Sequence, residues 1–180
     1  MGYDLYVQMV HEAIAELNGD RPPEAAPEVT VEIPGSAGIP TDYMSRDDLR
    51  LDTYRRLAAV TDPAEVDEIA SELSDRFGPV PQPVVNLLAV ARVRAACVQR
   101  GIGEVLVTKA PTISGGGLIA KMSPVRLAQS KQMRLERLFR GSFYKEQSGE
   151  LQLHLPGREP APVELAAAID QLMPIDASAS

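Results

Sequence analysis

Apolar and polar residues recur with two different periods along this chain, and the change of period divides it. From Ser45 to Gly101 apolar positions return every three or four residues, the spacing of helices with one buried face. Beyond Gly101 the return shortens to two, the spacing of strands. Three helices are predicted in the first stretch. Ser45 with Asp48 suggests a capping box for the first, whose inner face is Leu51, Tyr54, Leu57 and Ala58. The second opens with "DPAE": Asp62 as N-cap, Pro63 at the first helical position and Glu65 reaching back. It closes at Gly78, where Pro79 forbids continuation. The third starts near Pro81, buries Val84, Leu87, Leu88, Ala91, Ala95 and Val98, and stops at Gly101.

The flanks are less regular. "GYDLYVQMVHEAIAELNG" carries an unbroken helical stripe and reads as a helix over residues 1–18, cut from the end of a preceding region. "GDRPPEAAPE" is Pro-rich, acidic and almost free of large apolar residues, so 19–28 reads as a linker. "VTVEI" alternates like a short strand, and "PGSAGIP" breaks it. After Gly101, "IGEVLVTKA" and "GGLIAKM" read as strands around a Pro- and Gly-rich turn, Gln129 to Arg140 as a short helix, and "SFYKE" with "ELQLHL" as a hairpin. Val163 to Met173 forms a closing helix before a soft tail over 175–180. A domain over 29–174 is expected. Helices first and strands later make it α+β, with a three-helix cluster and a small, mainly antiparallel sheet with short helices.

Composition narrows the function. Aromatics are only 4% and Trp is absent, so Leu, Val, Ala and Ile must fill the core. A formal charge of −7 argues against a dedicated nucleic-acid binder. The lone Cys97 excludes an internal disulfide, fits a reducing cytoplasm, and reads as a small core residue among Ala95, Ala96 and Val98. No apolar run approaches a membrane span, and no membrane partner is expected. "SGGGL" lacks the Gly-Lys-Ser/Thr that a phosphate loop needs and reads as a turn between strands. His11 and His154 have no Cys or carboxylate at ligand spacing, and no Ser has a plausible base, so neither metal, cofactor nor catalytic residues are proposed for this segment.

What remains is charge arrangement. Lys121 to Lys145 holds seven basic residues against Glu136 alone, a local +6 within a total of −7. Arg134, Arg137 and Arg140 are the candidates there for nucleic-acid contact, although basic residues every three positions drift around a helix. Solvated or intramolecular charge is the stronger reading. On the second helix Glu65, Glu68, Glu72 and Asp75 fall within roughly 80° of one another, away from the apolar side. Acids near the N-terminus favour a helix, which accounts for Glu65 and Glu68. Glu72 and Asp75 lie towards the opposite end, where the macrodipole disfavours them, and so they stand out as the centre of a candidate docking surface unused inside the chain, with Glu68 and Glu65 on the same face as its further candidates. Burial or internal pairing of the Glu72 and Asp75 side chains within the fold would undo that reading.

The same stretch, "ELSDRFGPVPQPVVNLLAVARVR", resembles the C-terminal domain of the bacterial transcription-repair coupling factor family, Mfd. "RLDTYRRLA" resembles that domain's Arg-Leu-x-x-Tyr-Arg-Arg segment, and "GYDLYVQMVHEAI" the end of the motor region before it. The likeness is close from residue 2 to about 108 and weaker beyond; the tail from Pro156 is not diagnostic. It implies a regulatory, autoinhibitory, non-enzymatic domain of an ATP-driven DNA translocase that releases stalled RNA polymerase and recruits nucleotide excision repair. ATP and Mg would belong to the upstream motor. The domain would dock on a UvrB-like module of the same protein and mask its UvrA-binding surface, with UvrA, RNA polymerase and DNA engaged indirectly. The family's docking acids match Glu72 and Asp75, and a surface that recruits UvrA is expected to offer arginines to them.

Overall fold

The computed structural model describes residues 29–111 and 116–174. The expected helix over 1–18, the linker over 19–28 and the tail over 175–180 lie outside them. The elements in order are β1 (Thr30–Glu32), α1 (Asp47–Ala59), α2 (Pro63–Phe77), α3 (Gln82–Arg100), β2 (Glu104–Lys109), β3 (Leu118–Ser123), α4 (Gln129–Leu138), β4 (Phe143–Lys145), β5 (Glu150–Leu155) and α5 (Ala161–Leu172). The fold is α+β.

The capping box expected at Ser45 does not form. α1 begins at Asp47 with Arg46 as an uncapped N-cap residue, which puts Asp48 at the second helical position instead of the third. The Arg46 guanidinium grips the Asp48 carboxylate at 2.5 and 3.1 Å, so it cannot reach back. The box at α2 does form. Asp62 accepts from the Ala64 amide at 2.9 Å, and Glu65 accepts from the Asp62 amide at 3.1 Å. Gly78 ends α2 at φ +84°, a backbone that side chains resist, and its amide donates to Ser74.

α3 is the hub. Its buried surface is wider than the expected stripe: Asn86, Val90, Val93, Ala96 and Cys97 are covered as well, while Val98 is only half-buried. α1, α2 and α5 all pack on it, so most of its circumference faces protein. Burial pushes the Cys97 thiol up to about 12, which marks an inert packing residue. Arg100, half-buried in the last turn, donates to the Met173 carbonyl at 2.5 and 3.0 Å and to the Ala96 carbonyl at 2.9 Å. The closing helix therefore belongs to this domain.

The sheet runs β1-β2-β3-β5-β4. β1 lies parallel to β2, and the other pairs are antiparallel. Register aligns Val105, Met122 and Leu151 in one row and Val107, Ala120 and Leu153 in the next, all buried. The same apolar cluster continues into the helices, so one core serves both layers. The glycine run has a steric role. A Cβ on Gly117, at φ +93°, would lie 2.2 Å from the Leu155 carbonyl oxygen, so the turn into β3 passes too close to β5 for any side chain.

Candidate interaction surfaces

The four acids of α2 have different fates. Glu65 is committed to the capping box. Glu72 accepts from Arg56 of α1 at 2.7 Å and from Arg76 one turn onward at 2.8 Å. These two arginines, Arg56 first, hold its carboxyl down at about 2. Arg76 is itself steered by its place over the Phe77 ring, 5.3 Å from the centroid, and Phe77 packs 5.9 Å from Tyr43. The Tyr43 hydroxyl bridges the Leu73 and Gly78 carbonyls at 3.0 and 3.1 Å, fixing this end of the helix.

The expectation that Glu72 has no use inside the chain is thus corrected. Two guanidinium groups offset the macrodipole that opposed it, one of them from a helix sixteen residues away. Asp75 and Glu68 are exposed, with no hydrogen bond or ion pair among the described residues. Asp67, on another side of α2, pairs with Arg92 of α3. Free carboxylate on this face is therefore Asp75 and Glu68.

The basic segment behaves differently. Arg134, Arg137 and Arg140 are exposed and meet no acid among the described residues, whereas Lys145 pairs with Glu150 at 3.6 Å. α4 buries only Leu135. Its neighbours Met133 and Leu138, with Phe143 on β4, are the large apolar side chains left in solvent among the described residues, at 71%, 44% and 40% exposure. Sequence reasoning weighed Phe143 only as an aromatic near the basic segment and passed over Met133 and Leu138. The spacing of Met133, Arg134, Arg137 and Leu138, which share about 140° of one helix face, was the available signal. Past the end of α4 a groove of about 560 Å³ opens against β5 and α5, lined among others by Leu138, Arg140, His154 and Arg158. His154 Nε2 is buried there without a hydrogen-bond partner.

Among the described residues no group of three His, Cys, Asp or Glu could hold a metal ion, and no helix is long and apolar enough to cross a membrane. By class, this is an α+β module whose conspicuous chemistry is surface charge on two helices. The sequence comparisons say which module. Residues 33–114 match the TRCF domain. The chain is 37% identical over 166 residues to the transcription-repair-coupling factors of Mycobacterium bovis and Mycobacterium tuberculosis, covering 87% of itself and 13% of each of them. It is 33% identical over 103 residues to that of Staphylococcus aureus strain USA300, covering 57% of itself and 9% of that protein. The crystal structure of the C-terminal domain of a transcription-repair coupling factor superposes with a TM-score of 0.63 at 16% identity, over 81% of this chain and 91% of that one, a likeness of fold. The chain belongs to the TRCF-domain family. It spans about an eighth of the length of the mycobacterial relatives.

Proposed function

We propose that this chain is the autoinhibitory interaction domain of a transcription-repair coupling factor. In this reading it docks on the UvrB-like module of its parent protein, covers the UvrA-binding surface, and restrains an ATP- and Mg-dependent DNA translocase in the cytoplasm that acts on stalled RNA polymerase. The observation that carries the reading is the exposed, unpaired carboxylate of Asp75, one turn from the Glu72 clamp and inside the matched family segment. Glu68 adds a second free charge on that side. Arginines on the facing module would find Asp75 and Glu68 without breaking any bond of this domain. Glu72 contributes differently: held by Arg56 and Arg76, it fixes the surface from which Asp75 projects, and a partner arginine reaches it only by competing with them.

A clamp that must release needs a coupling of only a few kcal/mol, which a small, salt-sensitive charged patch supplies. In the full-length parent protein, the double change Glu68→Lys and Asp75→Lys should raise basal ATPase activity and UvrA binding together. The double substitution touches no internal pair, so its fold is preserved. If both activities stay at the parent level, α2 is not the docking face.

A further inference from the structure

We infer that the outward face of α4, with the groove beyond its C-terminal end, is a second docking surface, whose partner is an acidic protein segment carrying apolar anchor residues. Four observations converge on it. Leu135 is the one residue of α4 that is fully buried, while Met133 on the opposite side and Leu138 at the C-terminal end are left exposed. Arg134 and Arg137 lie between those two side chains on the same face, and Arg140 and Arg158 flank the groove that Leu138 enters. None of these four guanidinium groups pairs with an acid among the described residues, although the chain as a whole is acidic. The remaining carboxylate of the groove, Glu164, is already occupied by the amides of Gly157 and Arg158, at 2.9 and 3.3 Å.

The chemistry selects the occupant. Arginine and methionine are enriched where proteins meet proteins, and here Arg134 and Arg137 lie between Met133 and Leu138 on one helix face. Guanidinium groups bind carboxylates in paired bonds, and Met133 and Leu138 offer apolar contact between them. A nucleic-acid strand fits less well: it asks for aromatic platforms in series, and Phe143 is the exposed ring beside this face. The surface is separate from the α2 face and does not depend on the docking role given to Asp75.

The test is fluorescence anisotropy with the 180-residue chain and three labelled probes. The first is a short peptide of glutamates with leucines at helical spacing, the second the same peptide with serines for leucines, and the third a single-stranded DNA oligonucleotide. The first probe should bind at low salt and weaken as salt rises towards about 0.15 M. Arg134→Glu with Arg137→Glu should reduce its affinity at least about tenfold, and Met133→Ser with Leu138→Ser about fivefold. These substitutions are all at exposed positions, and circular dichroism checks that the fold persists. Absence of binding by the first probe, equal binding of the serine probe, or indifference to the arginine reversals overturns the proposal. Preferential binding of the DNA probe, lost in the arginine variant, overturns it in favour of a nucleic-acid surface.

Discussion

α2 and α4 both expose a charged side, one acidic and one basic, yet they stand in opposite relation to the rest of the molecule. α2 buries Pro63, Val66, Ile69 and Leu73, has a complete capping box, and spends three of its acids on internal partners: Glu65 on the cap, Asp67 on Arg92, Glu72 on Arg56 and Arg76. α4 buries Leu135, has no side-chain cap, and spends none of Arg134, Arg137 and Arg140 on an acid among the described residues. Charge density alone would rank them as similar surfaces. What separates them is availability, and that depends on neighbours brought in by the fold.

The comparison can be broken most forcefully in the core. Leu73→Ala, emptying a site at 4% exposure, should cost about 3 kcal/mol in urea unfolding, whereas Met133→Ser should cost less than about 0.5 kcal/mol. Equal losses would mean that α4 is as integral as α2. The caps give a smaller contrast. Asp62→Ala should destabilise by about 1 kcal/mol, while Ala128→Asp at the uncapped start of α4 should gain a fraction of that, both read from chemical denaturation midpoints.

The Glu72 clamp gives a small effect and the clearest pH signature. Its side chain is about a third exposed, so Glu72→Gln should cost only about 0.5 kcal/mol near neutrality. The folded carboxyl titrates at about 2 against an ordinary 4.5. The clamp's stabilisation is therefore complete above about 4.5 and disappears as pH falls towards about 2. Melting curves of the two proteins should converge across that acid window. A gap that stays constant down to pH 2 would show that the arginines do not hold the carboxylate in solution.

Local chemistry was easy to read. Asp62, Pro63, Glu65 and Gly78 bracket α2 because each satisfies a backbone requirement at its own position, and Gly101 does the same for α3. The strands announced themselves by alternation, since their inner and outer faces meet different media. The parallel pairing of β1 with β2 was not legible, because Thr30 and Glu104 are joined across the whole helical region. At the candidate site the Arg76–Glu72 pair follows from helical spacing, but Arg56 comes from α1, and nothing local says how α1 and α2 cross. Ser45 misled for a related reason: a one-residue shift in the start of α1 gave Asp48 to Arg46. Whether a charge is free is a tertiary property.

One consequence follows from the strap that Arg100 throws across to the Met173 carbonyl. The recognisable family stretch stops at residue 114, but the folding unit does not. Val93, Cys97 and Ile102 are sealed in a core to which Leu165, Ile169 and Leu172 also belong, so a fragment trimmed to the matched residues would carry an open seam where α5 had lain. The less diagnostic half of the chain is the lid without which the diagnostic half cannot stay dry.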